Sequence, residues 1–147
     1  GKALCLAAGE GRNAVWLAGQ GYDVTAMDAS PIGLEKAVAL ATEKGVTIST
    51  DVGDLQHGYD MGESEWDLIT DFYYHNPAMI PAVMRALKPG GLLVLIEYRA
   101  EDRSVPIKPL HKMSEAQAKK EMAAVGLEWV RTEDFLPQQH FLVFKRP

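Results

Sequence analysis

Residues 3–29 read ALCLAAGEGRNAVWLAGQGYDVTAMDA, and this stretch decides the fold. Lys2 to Ala8 form a short apolar run of the kind that makes a buried strand, and Gly9-Glu10-Gly11 ends it. A helix is predicted from about Asn13 to Gly19, with Ala14, Leu17 and Ala18 on one face and Gly21 as its stop. Tyr22 to Met27 then reads as a second strand, closed by Asp28. Strand, Gly-x-Gly, helix, strand and acid together make a nucleotide-binding arrangement. Glycine lets the backbone approach a ligand closely, and the helix start presents unpaired N–H groups. Asp28 stands 17 residues after Gly11, where its carboxylate can accept hydrogen bonds from both hydroxyls of a ribose. Gly9, Gly11 and Ala14 also satisfy the relaxed dinucleotide pattern Gly-x-Gly-x-x-Ala, so a nicotinamide-dependent oxidoreductase stays open at this point. A plain strand-to-helix turn is the other alternative.

Outward from this unit, short apolar runs keep alternating with helical spacing. That alternation predicts an α/β fold: a Rossmann-like, doubly wound, seven-stranded sheet, mostly parallel with an antiparallel last strand. Ser30 is a helix N-cap with Pro31 behind it, and Leu34, Ala37, Val38 and Ala41 mark the buried face until Gly45. Strands are expected at 46–50 and 66–71, with a polar stretch holding Asp51, Asp54, Gly58 and Gly62 between them. Ile80, Val83, Met84 and Leu87 mark a third helix, its regular part delayed by Pro81. Lys88-Pro89-Gly90-Gly91 reads as a turn into the apolar run 92–98, and residues 99–113 as a long loop. Ser114 and Gln117 form a capping box for a fourth helix, and strands at 127–132 and 140–145 close the chain as an antiparallel pair. The whole, 1–147, is expected to be one domain of seven strands and four helices.

Charge and composition narrow the function. The net charge of -5 argues against the broad basic face needed for nucleic acid. Its distribution is uneven, with 4 basic and 12 acidic groups in residues 1–71 against 11 basic and 8 acidic in 72–147. One cysteine excludes an internal disulfide framework or a cysteine-based zinc site, so a cytoplasmic protein is expected. No run approaches the roughly 20 apolar residues of a membrane span. A chain that lacks an initiator Met and enters a strand at residue 2 is expected to have lost an N-terminal segment. The four histidines, His57, His75, His111 and His140, show no ligand spacing, and no metal site is expected.

The segments LCLAAGEGRNAVWLA (4–18), GYDVTAMDAS (21–30), GDL (53–55), WDLIT (66–70) and LKPGGLLVLIEY (87–98) resemble, in order, the motifs of the class I S-adenosylmethionine-dependent methyltransferases. The LKPGG turn and the terminal antiparallel pair set that family apart from the dehydrogenases. The first half is most similar to the tellurite-resistance type. The second half, with EYRAED, VPIKPLHKMSE and DFLPQQHF, resembles uncharacterised bacterial members, as in a trimmed or reconstructed chain. The resemblance implies S-adenosylmethionine as cofactor and S-adenosylhomocysteine as product. It implies Ala7, Ala8, Gly9 and Gly11 around the methionine part, with Asn13 beside them, and Asp28 on the ribose. Asp54 would face the adenine amino group, and Leu55 or Ala29 would pack on the ring. A turn-forming role for Asp54 is the alternative. Asp71 follows at the end of the fourth strand as a further cofactor contact. Where the family commonly has Asp-x-Gly-x-Gly, this chain has Cys5 and Ala7.

In a doubly wound sheet the site lies beyond the carboxyl ends of the strands. Tyr73, Tyr74, Tyr98 and Arg99 are expected there as acceptor-binding residues. His75 and His111 are the candidates for a base or an acceptor-orienting group, since imidazole titrates near neutral pH. Arg99, Arg103, Lys108 and Lys112 suit an anionic acceptor, with a merely solvated loop as the alternative. The expected activity is methyl transfer to a small molecule, with no nucleic-acid or membrane partner and the oligomeric state open. A non-catalytic module that binds the same cofactor is the rival reading.

Overall fold

The computed structural model describes residues 1–74, 76–101 and 112–147. Strands β1 (Lys2–Leu6), β2 (Asp23–Asp28), β3 (Ser49–Val52), β4 (Trp66–Phe72), β5 (Leu87–Arg99), β7 (Glu128–Glu133) and β8 (Gln139–Lys145) form one sheet in the order β3-β2-β1-β4-β5-β8-β7. A two-residue strand, β6 (Lys112–Met113), pairs with the end of β5. The seven-stranded sheet is as expected, and only β8 runs antiparallel to its neighbours. The order reverses at β1 and β4, and ligands bind outside the carboxyl ends of strands at such a switch point.

Helices cover both faces, because the central strands β1, β2, β4 and β5 are apolar on both sides. Ala3, Cys5, Val24, Ala26 and Leu68 pack under α1 (Arg12–Gly19) and α2 (Pro31–Glu43). Leu4, Leu6, Ile69, Leu93, Leu95, Leu142 and Phe144 pack under α3 (Ile80–Ala86) and α4 (Glu115–Ala124). The first layer is lined by small side chains and the second by large ones. Consequently α1 and α2 approach the sheet and each other closely, with Gly11 against Ala37. The N-caps follow from local chemistry. The Ser30 hydroxyl accepts from the Gly33 amide at 3.1 Å, and the Ser114 hydroxyl from the Gln117 amide at 3.0 Å. The second half of the expected capping box is absent, since the Gln117 side chain donates instead to Glu121 at 3.1 Å.

Three expectations are corrected. The third strand is Ser49–Val52 rather than 46–50, because pairing with β2, Thr25 opposite Ser49, sets its place while the apolar Val46 and Ile48 lie before it. The segment 88–91 is a bulge within β5 rather than a turn before it: Trp66 pairs with Leu87 and Leu68 with Leu92, and the extra residues bond to Arg146. The last part of the loop at 99–113 is β6.

Candidate functional site

The loop from β1 to α1 is built on left-handed backbone. Ala7, Gly9 and Gly11 have φ of 50, 58 and 84°. The Ala8 amide donates to Met27 O at 2.9 Å and the Gly11 amide to Ala8 O at 3.0 Å, closing the turn. Ala7 occupies a conformation suited to glycine, a strain of about 1 kcal/mol that packing holds in place. Cys5 is buried beside Thr70 in the α1/α2 layer, and burial pushes its thiol pKa up. This side chain therefore belongs to the core rather than to the cleft.

Asp28 is the hub of the site. Its Oδ2 accepts the Gly9 amide at 2.8 Å, its Oδ1 accepts the Ser30 amide at 2.9 Å, and its carbonyl accepts the Gly53 amide at 3.1 Å. One residue thus ties the glycine loop, the start of α2 and the end of β3 together. Each carboxylate oxygen keeps lone-pair capacity for another donor. The cleft beside it, about 390 Å³, is lined by Ala7, Asp28, Ala29, Asp54, Leu55 and Tyr74 among others.

Asp54 both lines this cleft and caps the turn Leu55–His57, so the two readings of this residue are compatible. Its carboxylate pairs with His57 Nδ1 at 2.6 Å and accepts the Gln56 amide at 2.9 Å; these bonds hold its pKa below the usual carboxylate value. A second cleft, about 520 Å³, shares Leu55 and Gln56 and extends to Asn76, Met79 and Arg85. Of the expected cofactor residues, Ala8, Gly9, Gly11, Asn13 and Asp71 do not line either cleft. Asn13 lines a separate cleft with Phe72, Ile96 and Phe141 on the α1 side of the sheet.

At the acceptor end, the Tyr73 and Tyr98 rings lie 5.1 Å apart, and Tyr73 has φ 61° and is half exposed. The Arg99 guanidinium is oriented by the chain itself, its Nε donating to Gln139 O at 3.2 Å and its Nη2 to Leu136 O at 3.0 Å. His75, His111, Arg103 and Lys108 lie outside the described residues, as does the Lys112 side chain.

Asp71 and Glu97 are both 4% exposed, on β4 and β5. Burial, with Glu97 close by, drives the Asp71 pKa well above the usual value against the pull of the Tyr74 amide, and burial raises that of Glu97 to about 7. Glu97 was not singled out in the sequence; its one signal is a charged residue within the apolar run 92–98. Around it stand Asp71 from β4, Tyr73 after β4, and His140 from β8, whose Nε2 lies 3.2 Å from Glu101 Oε1. This predicts a pH-dependent stability. Well below the ordinary carboxyl value, Glu97 is protonated folded or unfolded and has no effect. As pH rises from there to about 7, the unfolded chain sheds the proton while the folded one keeps it, so stability falls by on the order of 3 kcal/mol. Asp71 acts with the same sign. Urea unfolding at pH 5 and pH 8 should show Glu97→Gln losing less stability than the parent chain. Equal losses would mean that Glu97 ionises normally.

The methyltransferase domain family matches residues 3–91. An uncharacterised methyltransferase of Synechocystis is 35% identical over 103 residues, 65% of this chain and 46% of that protein. The 2-heptyl-1-hydroxyquinolin-4(1H)-one methyltransferase of Mycobacteroides abscessus is 26% identical over 125 residues, 80% of this chain and 55% of that protein. The chain thus spans about half the length of these curated relatives. Among solved structures, a SAM-dependent methyltransferase from Methanosarcina mazei superposes with a TM-score of 0.80 at 17% identity, covering 99% of this chain and 92% of that one. TehB from Haemophilus influenzae gives 0.79 at 18%, covering 99% and 57%. The [4+2]-cyclase SpnF gives 0.84 at 16%, covering 99% and 75%, so the fold by itself does not specify methyl transfer. With its domain match over more than half its length and the class I sheet order, this chain belongs to the methyltransferase domain family.

Proposed function

We propose that this chain transfers the methyl group of S-adenosylmethionine to a small-molecule acceptor, as a single domain, 1–147, acting in the cytoplasm. The observation that carries the reading is Asp28, an anchored carboxylate with spare lone pairs at the carboxyl end of β2, the strand next to the switch-point strand β1, beside a cleft of about 390 Å³. The donor set fits the cofactor. Asp28 would take the ribose hydroxyls, Asp54 the adenine amino group, and Leu55 and Ala29 the faces of the ring. The backbone of Ala7, Ala8, Gly9 and Gly11 would follow the methionine part. S-adenosylmethionine supplies an electrophilic methyl group on a sulfonium sulfur. The chain's contribution is to hold the acceptor in line with that group and to exclude water. Tyr73, Tyr74 and Tyr98 would line the acceptor side, with Asp71 between them and the cofactor. The acceptor named for the Mycobacteroides relative is itself a small molecule, which supports the acceptor class. The sheet order, with its antiparallel β8, speaks against the all-parallel dinucleotide arrangement.

Calorimetric titration tests the cofactor. S-adenosylmethionine and S-adenosylhomocysteine are expected to bind at micromolar strength and NADH not at all. Binding of NADH alone would move the chain to the oxidoreductases. Cofactor binding without turnover on any small acceptor would favour a non-catalytic module.

A further inference from the structure

Two acidic side chains, Asp71 and Glu97, sit toward the carboxyl ends of β4 and β5, and one oxygen of each has no partner among the described residues. Asp71 pairs with Leu95 across β4 and β5, so Glu97 lies two residues further along on the same face, about 8 Å away by strand spacing and rise. That face is the one on which Leu93, Leu95 and Met79 pack. Asp71 Oδ1 and Glu97 Oε1 are buried with no hydrogen-bond partner among the described residues. His140, opposite Glu97 on β8, has its Nε2 3.2 Å from Glu101 Oε1. Tyr74, the residue whose amide bonds Asp71, lines the proposed cofactor cleft.

We propose that Asp71 and Glu97 form a subsite for the protonated nitrogen of an amine acceptor. This rests on the methyl-transfer reading of the same site. Buried polar atoms are nearly always satisfied, so two orphaned oxygens on adjacent strands mark a place that a ligand completes. An ammonium group brings several donors, no acceptor and a positive charge, which answers both oxygens and favours the ionised carboxylates over the neutral form that burial favours. A hydroxyl brings one donor with lone pairs of its own, and a carboxylate adds a like charge. A metal ion is a poorer fit, since no group of three potential ligands occurs among the described residues. The same carboxyls can take the proton that an ammonium must lose to become a nucleophile: the N–H bond breaks, an O–H bond forms on the carboxylate, and the electron pair stays on nitrogen. Glu97, raised to about 7 by burial, matches such a proton acceptor near neutral pH.

The test titrates benzylammonium, benzyl alcohol and benzoate into the full chain saturated with S-adenosylhomocysteine, followed by calorimetry and carboxyl-carbon NMR. Benzylammonium is expected to bind at least about tenfold more tightly than the other two, and Glu97→Gln or Asp71→Asn to remove that preference, as the loss of a hydrogen bond to a charged group requires. The carboxyl resonances of Asp71 and Glu97 should move on binding, a readout that needs no variant to fold. Equal binding of the three probes, or unmoved carboxyl resonances, overturns the proposal. Failure of S-adenosylhomocysteine to bind the parent chain overturns the methyl-transfer reading and this subsite with it. Cofactor binding without amine preference sinks the subsite alone.

Discussion

Asp28→Ala is expected to weaken S-adenosylhomocysteine binding by roughly 100-fold or more in calorimetry. Two hydrogen bonds that ribose hydroxyls would donate to this carboxylate, each about 1.5–3 kcal/mol, would account for that loss. A second loss comes from the protein. The Gly9 and Ser30 amides, now held at 2.8 and 2.9 Å, would be left to water, so the glycine loop and the start of α2 would no longer be tied to β2. Asp28→Asn separates the two contributions, because the amide oxygen can still hold one backbone N–H while the charge is gone. It should bind between the parent chain and the Ala variant. Affinity unchanged by Asp28→Ala would place the cofactor elsewhere.

Gly11→Ala should lower stability by about 3 kcal/mol or more, and the melting temperature by roughly 10 °C. A Cβ at Gly11 would stand 2.3 Å from the Ala37 Cβ and 3.0 Å from its Cα, and the residue has φ 84°. Neither α1 nor α2 can withdraw, because both are seated on the small side chains of the sheet. Gly9→Ala is the control. It has φ 58° but nothing within 4 Å, so only backbone strain of about 1 kcal/mol is expected. Pairing Gly11→Ala with Ala37→Gly should recover part of the loss and leave the strain. Equal melting temperatures for the Gly9 and Gly11 variants would show that the helix contact does not matter.

Much of the architecture was legible because it is written in local chemistry. Ser30, Pro31 and the apolar spacing to Ala41 specify α2 without help from distant residues, and its cap formed as expected. The reading went astray where partners far along the chain decide. Val46 and Ile48 are apolar enough to suggest a strand, but β3 is an exposed edge strand whose pairing with β2 begins at Ser49. Lys88-Pro89-Gly90-Gly91 carries every local sign of a turn, yet Arg146 binds it from the last strand and keeps it within β5.

The site divides in the same way. Sequence spacing alone pointed to the turn that Asp28 and the glycines build, because a strand end, a tight turn and a helix start lie within 30 residues and their geometry is local. It could not tell that Arg99 is tied to the carbonyls of Gln139 and Leu136, that Asn13 lines a separate cleft, or that Asp71 and Glu97 share one buried face. Those facts arise from strand order and register, which bring together residues tens of positions apart. What a charged side chain can do depends on the partners that folding leaves it, and that is decided only when the sheet has closed.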